Sequence, residues 1–247
     1  MSLVISHRGA NRIAPENTIP AFQKALEFNV DGFENDVHLT KDGVLVVCHD
    51  DSVDRTSNGT GLICEMSFDE LRALDFGSWF SPEFAGTKLP TLAEFFELCG
   101  PLKVINVEIK QAVDGSIDCA AAVVRLAKEM GVFDKLIISS FDMNMLQACL
   151  AEDPATRICY LYAMDCEWAE EIMDEPGDFA KKYGLYALHP IVLMCSEGFI
   201  EECHDGGVVV NPWTVSHDEA IATLRDWGAD GIITDTPDLA MKIVYGS

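Results

Sequence analysis

Long apolar runs are missing from this chain. Nothing in its 247 residues approaches the ~18 consecutive apolar positions that a membrane span needs, so stable membrane insertion is not expected. Paired cysteines are missing too. The nine cysteines are an odd number, and none forms a C-x-x-C; the closest pairs are Cys159 with Cys166 and Cys195 with Cys203. That argues against a zinc ribbon or a dithiol redox site. Cys48, Cys159 and Cys195 lie inside apolar runs, where a free thiol behaves as a small buried hydrophobe. No secretory-leader pattern opens the chain, so the expectation is a reduced, cytoplasmic protein. Basic residues are scarce: 17 Lys and Arg face 41 Asp and Glu, a formal charge of −24. A nucleic-acid binder should carry a basic patch, and none is visible. Internal repeats and low-complexity tracts are absent. Asp50, Asp51 and Asp54 precede Asn58-Gly59, but the spacing and the missing closing glutamate exclude an EF-hand loop.

What is present is an alternation of short apolar runs and amphipathic stretches. The runs predict strands at 3–6, 32–38, 44–47, 103–109, 136–140, 157–162, 185–189, 207–210 and 230–233. Helices are predicted at 17–29, 91–99, 116–130, 142–152, 167–182, 196–204, 216–227 and 236–244. Repeated strand–helix units with short connections imply a parallel sheet. With 44–47 set aside as a hairpin partner, eight units remain. Eight units in a chain of about 250 residues point to an α/β fold, the closed (β/α)8 barrel. Residues 1–247 are expected to form one barrel domain. The rhythm breaks at about 50–90, a glycine- and proline-rich stretch with one short helical pattern, in which Ser67 is the N-cap and Glu70 completes a capping box. It reads as a small insertion after the second strand, lying over the barrel mouth.

Three polar groups crowd the first fifty residues, each where an apolar run stops: His7-Arg8, Glu34-Asn35-Asp36 and His49-Asp50. Ionisable groups at strand ends are poor core material and good active-site material. Strand alternation sharpens this. Glu34, Asp36 and His38 share one face, and so do Asn106, Glu108 and Lys110. Phe33, Val37, Ile105, Val107 and Ile109 suit the helix side. Glu34, Asp36, Glu108 and Lys110 then point inward near the C-terminal strand ends, the face where barrel active sites lie.

Three clustered carboxylates repel one another. Two solutions fit. A hard divalent cation, Mg²⁺ or Ca²⁺, suits an oxygen-only ligand set. Alternatively, Arg8 and Lys110 neutralise the cluster as a salt-bridge network. His7 and His49 end neighbouring strands and suit a general acid and base. Asp50 is placed to orient an imidazole or to cap a loop. Arg8 offers a fork of donors to phosphate oxygens, and Lys110 a point charge. Asn17 and Thr18 compete as N-cap of the first helix, and Asn17 is also placed to reach a ligand from the mouth. Phe141 and Trp213, at the ends of the fourth and seventh barrel strands, are candidates for an aromatic wall. His38 reads as structural or at the rim, and His189 as a mouth residue. His204 and His217 read as surface residues.

Taken in order, these segments resemble the glycerophosphodiester phosphodiesterase family. The matching segments are His7-Arg8-Gly9, Pro15-Glu16-Asn17-Thr18, Glu34-Asn35-Asp36-Val37, Thr40-Lys41-Asp42-Gly43, His49-Asp50, Asp54-Arg55-Thr56 and Asn58-Gly59. They continue with Leu89-Pro90-Thr91-Leu92, Glu108-Ile109-Lys110, Ser139-Ser140-Phe141, Trp213-Thr214 and Gly231-Ile232-Ile233-Thr234-Asp235. The resemblance implies a TIM barrel that hydrolyses a small-molecule glycerophosphodiester to sn-glycerol 3-phosphate and an alcohol. It implies Mg²⁺ or Ca²⁺ on Glu34, Asp36 and Glu108, acid–base work by His7 and His49, and phosphate contacts from Arg8 and Lys110. Residues 157–205 match weakly, so the leaving alcohol is not specified. Two other readings stay open: a phospholipase D or lysophospholipase D of the same superfamily, which would show an exposed apolar or basic surface at the mouth, and a non-catalytic phosphodiester-binding barrel.

Overall fold

The structure is a computed structural model, and it describes residues 1–246. Nine strands form: β1 Leu3–His7, β2 Gly32–Leu39, β3 Leu45–Val47, β4 Val104–Ile109, β5 Leu136–Ser140, β6 Ile158–Tyr162, β7 Ala187–Pro190, β8 Val209–Val210 and β9 Gly231–Thr234. Helices follow them: α1 Ile19–Glu27, α2 Phe68–Ala73, α3 Leu92–Leu98, α4 Asp118–Glu129, α5 Met143–Glu152, α6 Ala169–Asp174, α7 Pro176–Tyr183, α8 Glu197–Asp205, α9 Asp218–Asp226 and α10 Pro237–Tyr245. The sheet runs β8-β7-β6-β5-β4-β2-β1-β9, with β3 paired antiparallel to β2 outside this path. All other pairings are parallel. Backbone bonds from Asp230 to Val210 and from Ile233 to Pro212 link β9 to the β8 segment and nearly close the ring. This is the TIM barrel read from eight strand–helix units.

The alternation sorts the side chains as the pattern requires. Phe33, Val37, Ile105, Val107 and Ile109 are fully buried in the layer shared with the helices. Phe22 of α1, Phe33 of β2 and Phe95 of α3 pack as a trio, with Phe22 4.7 Å from Phe95 and 5.1 Å from Phe33. Inside the barrel, Ile5, Val104, Ile137, Cys159, Ala187 and Ile233 form a separate apolar plug. That plug seals the lumen below the mouth, so polar inward residues collect above it.

Two expectations are refined. The helix expected at 167–182 is two helices, α6 and α7, because Pro176 cannot donate to the preceding turn and starts a new helix at its first position. Thr18, rather than Asn17, caps α1, its side chain accepting from the Ala21 amide. Between β3 and α3 the chain makes a long excursion. Ser67 and Glu70 form the capping box on α2, and Val46, Cys48, Val53, Ile63, Leu71, Phe76 and Leu89 build a small core of its own. All nine cysteines are unpaired.

The turn after His7-Arg8 folds tightly against α1. Gly9 has φ +78°, and a Cβ there would lie 2.7 Å from the Ala21 backbone. Gly43 has a similar φ of +81° but open space around it. Gly9→Ala should therefore cost more than the roughly 1–3 kcal/mol of backbone strain alone, and Gly43→Ala no more than that strain. Denaturant unfolding of the two variants checks this; equal losses would contradict the close approach.

Candidate active site

Strand register builds the centre. In the β1–β2 ladder His7 stands beside Glu34, and in the β2–β4 ladder Glu34 stands beside Asn106 and Asp36 beside Glu108. Glu34, Asp36 and Glu108 are all buried, and each offers a carboxylate oxygen within 4.8 Å of the others. Arg8 follows β1 in the left-handed region, φ 56°, and its amide donates to a Glu34 carboxylate oxygen at 3.1 Å. Strain of this kind in a non-glycine residue collects at functional sites. The Arg8 Nε lies 3.2 Å from Asp36 Oδ2. Lys110, just past β4, pairs with Glu108 and lies 3.4 Å from Asp36 Oδ1.

The electrostatics are uneven. Burial, with Asp36 and Glu108 alongside, pushes Glu34 well above the usual carboxylate range. Burial and Asp36 raise Glu108 as well. Burial also opposes ionisation of Asp36, but Arg8 and Lys110 hold it well below its usual value. The two cations thus hold Asp36 ionised, while Glu34 stays raised and Glu108 stays raised despite its pair with Lys110. Glu34 Oε1 and Asp36 Oδ1 are buried without a hydrogen-bond partner. Two orphaned oxygens, an all-oxygen donor set and raised glutamates together fit a hard divalent cation. The salt-bridge network and the carboxylate cluster that could hold a cation share the same residues.

Each histidine is backed by a carboxylate. His7 Nδ1 lies 2.7 Å from Asp235 Oδ1, and His49 Nδ1 lies 2.6 Å from Asp50 Oδ1. A carboxylate at Nδ1 selects the Nδ1–H tautomer and leaves Nε2 with a lone pair. His7 Nε2 lies 3.8 Å from Glu34 Oε2, at the centre. His7, Glu34, Asn106, Glu108, Ser139, Leu161 and Trp213 line one pocket. Phe141 meets Trp213 edge to face, ring centres 5.5 Å apart. A hollow of about 260 Å³ opens between His38, Asp51, Cys64, Lys110 and Asp118.

Other candidates fall differently. Asn17 does not reach out from the mouth: it is 3% exposed, and its amide donates to Asp36 Oδ2 at 2.7 Å, which orients that carboxylate. His189 does not line the mouth either. It is fully buried beneath it, held by Asn211 at 2.9 Å, and burial pushes its imidazole down to about 3, so it is neutral. His38 is structural, its Nε2 3.2 Å from the His49 carbonyl. His204 is at the surface, paired with Asp230 at 2.9 Å. Asp235 went unassigned in the sequence, although it ends the apolar run Gly231-Ile232-Ile233 in the same way that His7 and Glu34 end theirs. Register explains its place: Ser6 pairs with Thr234, so His7 comes next to Asp235.

Burial would raise the Asp235 carboxyl, but hydrogen bonding to His7, reinforced by Asn11 and Arg12, holds it at about 2, below the ordinary 3.8. A folded-state value below the unfolded one stabilises above the unfolded value and is lost as pH falls through the folded one. Stability should thus fall more steeply between about pH 4 and 2 in the wild type than in Asp235→Asn. Parallel acid-unfolding curves would contradict the His7–Asp235 pair.

Comparison with known proteins places this geometry. Residues 7–239 match the glycerophosphoryl diester phosphodiesterase family. The glycerophosphodiester phosphodiesterase of Caldanaerobacter subterraneus subsp. tengcongensis is 38% identical over 244 residues, covering 98% of each chain. The crystal structure of the glycerophosphodiester phosphodiesterase of Agrobacterium tumefaciens superposes with a TM-score of 0.84 at 30% identity, covering 98% of this chain and 99% of that one. An Oleispira antarctica phosphodiesterase, solved with the product sn-glycerol-3-phosphate, superposes with a TM-score of 0.88 at 28% identity, covering 100% of this chain and 98% of that one. A family match over nearly the whole chain and a relative this similar along its full length settle the affiliation: the chain belongs to the glycerophosphoryl diester phosphodiesterase family and is a phosphodiesterase.

Proposed function

We propose that the chain hydrolyses glycerophosphodiesters to sn-glycerol 3-phosphate and an alcohol, using a divalent cation, Mg²⁺ or Ca²⁺, on Glu34, Asp36 and Glu108. The observation that carries this reading is the convergence of three buried carboxylates, Glu34, Asp36 and Glu108, two of them with an oxygen that accepts no hydrogen bond, beside an imidazole braced by a carboxylate. A bound cation would supply positive charge to a phosphate oxygen. His7 and His49 divide the proton transfers. One Nε2 takes the proton of the attacking hydroxyl, and the other, protonated, gives its proton to the departing alkoxide. Asp235 and Asp50 keep each ring turned so that Nε2 faces the reaction. Arg8 and Lys110 lie against Asp36 and add positive charge for the phosphate to approach. That local charge offsets the repulsion an anionic substrate meets from a chain of net charge −24. Trp213 and Phe141 exclude water on the opposite side. The substrate is a small molecule and the setting cytoplasmic in this reading.

Turnover of glycerophosphocholine or glycerophosphoethanolamine, read by coupled detection of glycerol 3-phosphate, is the direct test. EDTA should abolish it, and Mg²⁺ or Ca²⁺ restore it. His7→Ala and His49→Ala should each lower kcat by roughly 10²–10⁴-fold. Full turnover without metal would remove the cation, and wild-type turnover in either variant would remove that histidine.

One observation favours the lysophospholipase D reading as a second possibility. Val113, Phe141, Met164 and Leu193 are large apolar side chains, 45–76% exposed, on the loops that follow β4, β5, β6 and β7. Clusters of exposed apolar groups mark sites that meet apolar partners. An acyl chain on the glycerol would lie across them. If so, kcat/KM for lysophosphatidylcholine should exceed that for glycerophosphocholine, and Leu193→Asp with Met164→Asp should erase the difference. A preference for the unacylated substrate would exclude this reading.

A further inference from the structure

Arg55 stands in the excursion between β3 and α3, and the proposed chemistry gives it no task. Its guanidinium nevertheless makes two two-pronged ion pairs. Nε and Nη2 donate to Asp50 Oδ2 and Oδ1 at 2.7 and 3.1 Å. Nη1 and Nη2 donate to Glu16 Oε2 and Oε1 at 2.9 and 2.8 Å. Both carboxylates hold a second partner that belongs to the centre. Asp50 Oδ1 meets His49 Nδ1 at 2.6 Å. Glu16 Oε1 accepts from Arg8 Nη1 at 3.1 Å, and Arg8 in turn lies against Asp36. An unbroken line of alternating charge runs Asp36, Arg8, Glu16, Arg55, Asp50, His49.

We propose that Arg55 is a positioning residue: it fixes His49 and Arg8 relative to each other by holding the carboxylate behind each. This rests on the reading of His49 as a proton-transfer group. The chain geometry explains why a bridge is needed. Strand β2 anchors both backbones, through Arg8 N–H to the Glu34 carbonyl and Cys48 N–H to the Asp36 carbonyl, but those bonds leave the imidazole and the guanidinium themselves unset. Only a planar fork with donors on two edges can grip both oxygens of two carboxylates at once; an ammonium is a single point. The hydrogen bonds from Arg55, acting against burial, are also the leading cause that holds Asp50 down at about 2. Asp50 thus stays ionised behind His49. Arg55 is 45% exposed in its side chain, where ion pairs add little to stability. Its effect should therefore appear in kinetics more than in folding.

The alternative is a plain tether that pins the excursion to the loop before α1. A tether and a positioning residue differ in what they move. The test uses the full chain with Mg²⁺ and glycerophosphocholine. Arg55→Gln should lower kcat/KM about 10- to 100-fold, the scale of a small misplacement of catalytic groups, with little change in Tm. The loss should divide. In an Asp50→Asn background Arg55→Gln should cost no more than about twofold in kcat, and in a Glu16→Gln background the rise in KM should vanish, because coupled residues are not additive. Arg55→Lys should keep the wild-type Tm and recover only part of kcat. Full additivity in both backgrounds, or a loss that follows Tm alone, would overturn the proposal. If Arg55→Gln does not fold, Arg55→Lys carries the same cycles. A His49→Ala variant with wild-type turnover would instead overturn the acid–base reading, whatever Arg55 does.

Discussion

Everything at the mouth of this barrel answers to three carboxylates held in a dry place. Two like charges 4 Å apart repel by about 4 kcal/mol at an effective dielectric of 20, and here three such groups are buried. Asp36 takes the largest share of the compensation the protein supplies: Arg8 and the Asn17 amide turn to it, and Lys110 is shared between it and Glu108. Glu34 and Glu108 are left raised. The protein thus stops one charge short of balance. The apolar plug below makes the imbalance matter, because it keeps water from dissolving the problem from underneath.

The same constraint divides the mouth. The first half of the barrel, β1 through β4 with the hairpin β3, carries His7, Arg8, Glu34, Asp36, His49, Glu108 and Lys110. The second half carries Leu161 and Trp213 toward the pocket, Phe141 against Trp213, and exposed Met164 and Leu193 on the loops after β6 and β7. A parallel ladder places same-parity residues side by side, so charge on neighbouring strands merges into one field. An apolar far wall then lowers the local dielectric against which that field acts. The overall acidity of the chain does not cancel this effect, because distant surface charges are screened by salt within about 10 Å.

Much of this was legible in the sequence because alternation has a fixed period. Once Phe33 and Val37 go outward, Glu34 and Asp36 must go inward, and the same parity fixes Glu108 with Ile105 and Ile109 on the other face. All nine strands were readable for that reason. What escaped depends on contacts with no period. Asn17 reads in sequence as a residue of the mouth because a helix start looks alike whether its side chain faces solvent or a buried carboxylate. His189 sits at a strand end in sequence, yet the following Trp213 loop covers it, its indole donating to the His189 carbonyl. The Glu16–Arg55 pair joins residues 39 apart across two irregular segments, and irregular segments carry no repeat from which to infer a meeting.

Asp235 shows that closure of the barrel reaches into the candidate site itself. It lies 228 residues from His7, and nothing local could orient the imidazole from Nδ1 in its place. The bond exists because β9 returns to pair with β1 in a single register, Leu3 with Gly231 through Ser6 with Thr234. A slip of one residue would turn Asp235 toward the helices and leave His7 without a carboxylate, since successive strand residues face opposite sides. The plug residues Ile5 and Ile233, paired in that same ladder, bury their side chains in the lumen only when the register is right. The hydrophobic packing that stabilises the closed barrel therefore also selects the alignment that braces His7, so fold stability and imidazole orientation are set by one ladder.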